Sequence, residues 1–150
     1  MIDVMTGGNK MEKVNVSSER NITLIMDFYE LTMSYNYFKL GKGDQIVYFD
    51  MFFRKNPDNG GFVIFAGLQQ LIEAIKDMRF TEGDIEYLRS LHLFDEDFLE
   101  YLSTFRFTGD IYAIPEGTVV FPRESLIKVI APIMQAQLVE TALLTIINHQ

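Results

Sequence analysis

No cysteine occurs in this 150-residue chain. That excludes a disulfide framework and a thiolate metal site, and makes a reducing setting, the cytoplasm, the expected one. Basic residues are scarce too: 13 Lys and Arg stand against 21 Asp and Glu, for a formal charge of −8. A duplex-binding surface needs clustered cations, so nucleic acid is not an expected partner. A local phosphate pocket survives that argument, because a few basic groups suffice to form one. Long apolar runs are missing as well. Leu126–Met134 is broken by Lys128 and Pro132 and is too short to span a bilayer, so no membrane role is expected. Met1–Arg20 is polar, with Gly7, Gly8, Ser17 and Ser18, and lacks the apolar stretch of a signal peptide. It reads as a flexible lead-in, with Met11 available as an alternative start. The histidines, His92 and His149, show no metal-ligand spacing with each other or with carboxylates.

What the chain does have is apolar mass. With 48% hydrophobic and 23% charged residues, it can bury a core of ordinary size in one domain. A helix is expected over Phe28–Leu40, capped by Asp27, with Glu30 in a capping-box position and Gly41 as the stop. Phe28, Leu31, Tyr35 and Phe38 fall on one side of it. Gln45–Arg54 alternates as a strand whose odd residues, Val47, Phe49, Met51 and Phe53, are wholly apolar; its other face should meet a polar or ligand-bearing space. Asn56–Gly61 is a turn by composition. Phe62–Ala66 reads as a short buried strand, and Leu68, Leu71, Ile72, Ile75 and Met78 as a helix after Gly67. Shorter helices from Glu82 and Glu96 should be capped by Thr81 and Asp95. Asp110–Ala113, the turn Pro115–Thr118, Val119–Phe121 and Leu126–Ile130 read as one small β-rich unit. Neither an internal repeat nor a domain linker is evident.

The last element, from Pro132 onward, carries Ile133, Ala136, Leu138, Val139, Ala142, Leu143, Ile146 and Ile147, so it is apolar around much of its circumference. Such a helix belongs inside a larger body. The sequence ends at Asn148-His149-Gln150 without a capping glycine or proline, and reads as truncated there.

Three stretches together resemble nicotinate phosphoribosyltransferases. They are Met26-Asp27-Phe28-Tyr29-Glu30-Leu31-Thr32-Met33; Tyr48-Phe49-Asp50-Met51-Phe52-Phe53-Arg54-Lys55 with Phe65-Ala66-Gly67-Leu68; and Ala113–Thr118 running on to Gln135–Thr141. The resemblance implies an α+β fold: residues 21–150 as the N-terminal α/β sandwich-like domain of a type II phosphoribosyltransferase, cut off where the irregular α/β barrel starts. It implies a reaction joining nicotinate to the ribose of phosphoribosyl pyrophosphate, with Mg²⁺ and ATP hydrolysis, in a homodimer with shared active sites. Carried over by position, Tyr29 stacks on the pyridine ring of a neighbouring subunit's site. Arg54 and Lys55 contact phosphoryl groups, and Asp27 orients the turn before Tyr29. The phosphorylated histidine of the family is expected beyond Gln150, and no catalytic or metal-binding residue is expected within the segment. A nicotinamide or quinolinate enzyme of the same superfamily is the near alternative.

Plainer readings stand beside these. Tyr29 suits a core edge with its hydroxyl satisfied, Arg54 a solvated charge, and Asp27 a helix cap. Glu116 and Glu124 suit turns rather than an acid/base pair, and Glu82–Glu100 a solvated acidic face. Gly60-Gly61 lacks the Lys-Ser/Thr ending of a phosphate loop. A swinging-arm carrier would need a lysine at the hairpin tip, where this chain has Pro-Glu-Gly-Thr. An oligomerisation or structural domain without a ligand is the remaining alternative.

Overall fold

The first helix, α1, spans Phe28–Lys39 and ends where expected, because Gly41 takes the left-handed φ of +64° that a side chain would resist. The computed structural model describes residues 21–150; the lead-in expected over residues 1–20 lies outside them. Asp27 holds the N-cap position of α1, but its side chain makes no capping bond. Glu30 does not complete a capping box either. Its carboxyl turns inward and is fully buried, captured by a residue 111 positions away.

Strand β1 runs over Ile46–Met51 and alternates as read: Val47, Phe49 and Met51 face the core while Ile46 and Tyr48 lie exposed. It is shorter than the expected Gln45–Arg54. Its partner begins at Ile127, opposite Met51. Beyond that pair the neighbouring chain turns at Arg123, whose φ is +70° and whose N–H donates to the Phe53 carbonyl. The ladder therefore has nothing to continue on. Asn56–Gly61 forms a single 3-10 turn at Pro57–Asn59, closed by the Asn56 side chain donating to the Gly60 carbonyl.

Strand β2 is only Val63–Ile64, and Phe62 and Ile64 are exposed rather than buried. An apolar run need not be covered on both faces, and this ribbon is covered on one. Helices α2 (Leu68–Asp77), α3 (Glu82–Ser90) and α4 (Glu96–Ser103) follow. Thr81 caps α3 in a reciprocal box with Asp84, whereas Asp95 at the head of α4 points away to pair with Lys39 at 2.5 Å.

The expected β-rich unit is divided. Strand β4 (Val119–Val120) pairs with β2, while β3 (Asp110–Ala113) and β5 (Ile127–Pro132) belong to a second sheet of order β1-β5-β3, antiparallel throughout. In β5, Ile127, Val129 and Ala131 are buried and form the central row of the core.

The final helix is two helices, α5 (Ile133–Leu138) and α6 (Glu140–Asn148), which meet at Val139. Pro132 sits before the first turn, as the last residue of β5. Helix α5 packs on β1 and β5, α1 packs on α5, and α2 packs on α6. The result is a mixed α/β fold in which α5 carries the first helix over the three-stranded sheet.

Candidate functional site

A break between helices leaves backbone N–H groups without intrahelical acceptors. Val139, at the head of α6, has no side chain able to accept them. Glu30 of α1 takes that role. Its Oε1 accepts from the Thr141 N–H at 2.9 Å and from the Thr141 hydroxyl at 2.5 Å. The same hydroxyl accepts from the Asp27 N–H at 3.2 Å. One threonine thus ties the start of α6 to the start of α1. Alongside, the Gln137 side chain, almost fully buried, donates to the Glu140 carboxylate at 2.8 Å.

The electrostatics of this cluster are unusual, because it gathers carboxyl groups that form no ion pair among the described residues. Burial pushes the Glu30 carboxyl up to about 7, with Glu140 and Asp27 adding to the rise and the Thr141 bonds opposing it. Its second oxygen, Oε2, is buried without a protein partner, as is the Ser34 hydroxyl one turn along α1. An ionised oxygen in that position would be costly, which agrees with a retained proton. Tyr29 precedes Glu30 on the same first turn of α1. Partial burial and the Glu140 carboxylate push its phenol up to about 12. Tyr29 is nevertheless 44% exposed, which leaves part of its ring open.

Glu140 also lines an open groove of about 340 Å³ between β1 and α6, together with Tyr48, Phe49, Asp50, Val139 and Leu144. The structure therefore brings Tyr29 and Asp27 together with Glu30, Glu140 and Thr141. Arg54 and Lys55 lie elsewhere along the chain path, exposed in the bend after β1. Among the described residues they make no ion pair or side-chain hydrogen bond, and neither lines the groove. No group of three His, Asp or Glu side chains that could hold a metal occurs among the described residues, so no step through Mg²⁺ is assigned to them.

Glu116 and Glu124 are both engaged with backbone, Glu116 accepting from the Gln69 N–H and Glu124 from the Phe121 N–H. The members of the cluster that local reading missed are Glu30, Gln137, Glu140 and Thr141. A signal was present: Gln137, Glu140 and Thr141 are the polar interruption of an otherwise apolar helical stretch.

Residues 24–148 match the family described as the nicotinate phosphoribosyltransferase N-terminal domain. A nicotinate phosphoribosyltransferase of Mycobacterium tuberculosis is 45% identical over 127 residues, covering 85% of this chain and 27% of that protein. One from Bacillus subtilis is 40% identical over 130 residues, covering 87% of this chain and 26% of that protein. The crystal structure of human nicotinic acid phosphoribosyltransferase superposes with a TM-score of 0.75 at 31% identity, covering 81% of this chain and 25% of that one. The chain thus spans about a quarter of the length of the curated relatives it matches.

Proposed function

Since this chain belongs to the nicotinate phosphoribosyltransferase family, as its N-terminal domain, we propose that it serves an enzyme that joins nicotinate to phosphoribosyl pyrophosphate in NAD salvage. Pyrophosphate departs from the ribose as the pyridine nitrogen attacks, and the oxocarbenium-like centre between them needs a pre-arranged charged surround. Tyr29 offers its open ring face to the pyridine, a contact suited to a flat aromatic substrate. Arg54 and Lys55 meet phosphoryl groups of the sugar substrate, where a guanidinium can form paired charged hydrogen bonds. Asp27 positions the backbone ahead of the tyrosine. The site is completed by a second subunit in a cytoplasmic homodimer, and the groups that handle Mg²⁺ and ATP lie outside the described residues.

The observation that carries this reading is the mounting of Tyr29. An aromatic ring 44% exposed, on a helix whose first turn is tied down from below, is arranged for contact rather than for packing. In a full-length family enzyme bearing this sequence, Tyr29→Ala should raise the KM for nicotinate about tenfold, while Tyr29→Phe stays close to wild type. Equal loss in the two variants would shift the role from ring to hydroxyl and refute stacking. Arg54→Ala should weaken phosphoribosyl pyrophosphate by roughly 10- to 100-fold and leave nicotinate little changed. An unaltered KM for the sugar substrate would remove Arg54 from the site.

The 150-residue chain by itself should form no nicotinate mononucleotide, since it matches only about a quarter of the length of its relatives. A product assay on the purified chain checks this, and turnover at enzyme-like rates would contradict it. The competing reading, a structural domain without a ligand, gives full-length enzyme whose melting temperature ignores nicotinate and phosphoribosyl pyrophosphate; binding would raise it by mass action.

A further inference from the structure

We propose that Arg123 completes, with Arg54 and Lys55, a basic rim that receives a phosphoryl group of the sugar substrate. The identity of that ligand rests on the reading of Arg54 as a phosphoryl contact. The placement of Arg123 next to the Arg54 backbone does not.

The placement comes from the end of the β1–β5 ladder. The chain over residues 121–126, which leads into β5, is fastened to β1 and the bend after it by three bonds. The Leu126 N–H donates to the Met51 carbonyl at 2.8 Å, the Ser125 hydroxyl to the Asp50 carboxylate at 2.7 Å, and the Arg123 N–H to the Phe53 carbonyl at 2.8 Å. Arg123 is thereby joined to the residue immediately before Arg54. One residue step along a chain is only about 3.8 Å, so three cationic side chains start from two neighbouring stretches of backbone. The nearby acids are occupied. Glu124 accepts from the Phe121 N–H at 2.9 Å, and Asp50 pairs with Lys128 at 3.7 Å. Arg54, Lys55 and Arg123 are all exposed, and none forms an ion pair among the described residues. In a chain of formal charge −8, such a gathering makes a local region that attracts anions.

Arg123 also holds its position at a conformational cost. Its φ is +70°, in the left-handed region. The other non-glycine residues with positive φ among the described ones are Asp58, Asn59 and His92, the types that adopt this region most readily. Arginine is not one of them, and glycine or asparagine would suit the backbone better here. Strain of this kind is characteristic of functional positions. A guanidinium held against the backbone's preference, without an ion-pair partner in the described fold, is open to a ligand. Its planar fork of donors can meet a phosphoryl group with paired, charged hydrogen bonds.

The test is steady-state kinetics on a full-length family enzyme bearing this sequence, with thermal melting measured in parallel. Arg123→Gly should raise the KM for phosphoribosyl pyrophosphate about tenfold and leave that for nicotinate little changed. Its melting temperature should not fall, because glycine removes the strain at this φ. Arg123→Lys, which keeps the charge but not the fork, should give an intermediate KM. Inhibition by inorganic pyrophosphate tells the two ends of the substrate apart. Inhibition weakened in step with KM puts Arg123 at the pyrophosphate, and unchanged inhibition with a raised KM puts it at the 5′-phosphate. An unaltered KM for phosphoribosyl pyrophosphate in Arg123→Gly overturns the proposal. So does a rise in both KM values alike with a lowered melting temperature, the mark of a merely structural role. Arg54→Ala, run alongside, separates the two claims. A raised KM in that variant with Arg123→Gly unaffected removes Arg123 alone, whereas no effect in either variant removes the phosphoryl reading of the whole bend.

Discussion

Glu30→Gln should stabilise this chain above pH 7 and remove a large part of its pH dependence below. The folded chain holds the Glu30 proton up to about pH 7, whereas the unfolded chain releases it near 4.5. Across that interval the folded state binds more protons than the unfolded one, so the contribution of Glu30 to stability falls as pH rises. It is complete below about 4.5 and gone above about 7. The full swing is on the order of 3 kcal/mol. Glutamine keeps the oxygen that accepts from Thr141 and never ionises, so the variant does not carry this loss.

Measured from pH 5.5, above the isoelectric point near 4.7, to pH 8.5, the stability gap between variant and wild type should widen by about 2 kcal/mol. In melting temperature that is a gain of roughly 4–8 °C for the variant at the alkaline end. Taking the difference between the two proteins cancels the titration of the other carboxylates. Curves that run parallel from pH 5.5 to 8.5 would show that Glu30 is ionised in the folded chain throughout.

The largest loss of stability is expected from Phe98→Ala. Phe98 is fully buried on α4 and lies at the centre of an aromatic cluster. Its ring centroid is 5.2 Å from that of Tyr35, 5.5 Å from those of Phe38 and Phe94, and 6.3 Å from that of Tyr101. Tyr35 and Phe38 come from α1, so this ring binds the Tyr29-bearing helix to α4. Truncation removes the transfer energy of the ring and leaves a cavity that neighbouring rings cannot collapse into, at a cost of about 3–5 kcal/mol. That is a large share of the stability of an ordinary domain. Urea denaturation should show the midpoint falling steeply, with Phe98→Leu much milder because most of the volume is kept. A loss under about 1 kcal/mol for the alanine variant would mean the cluster is loosely packed.

Local reading went furthest where local forces decide. Thr81 made the cap it was expected to make, and Asp84, within the same turn, completed the box. Gly41 ended α1 by its backbone freedom, and the apolar side of β1 was set by alternation alone. The stretches that resemble the family, Met26–Met33 and Gln135–Thr141, were visible as words, and the first holds the candidate tyrosine. Pairing was not visible. Nothing near Val119 indicates that its partner is Ile64, nor does anything near Ile127 place that strand between two others.

Glu30 marks the boundary between the two kinds of information. Judged by its neighbours it is a capping-box acid, three residues after Asp27, and a solvated carboxylate there would be ordinary. The composition, the helix, its stop and the aromatic stripe were all determined by residues within a few turns of one another, where propensity and periodicity act. Which oxygen meets which hydroxyl was decided by the break at Val139, which left the Thr141 N–H without an acceptor and turned a distant carboxyl inward to supply one. That choice depends on a helix end buried in the assembled fold, and an unpaired donor has to be satisfied only once water has been excluded from it.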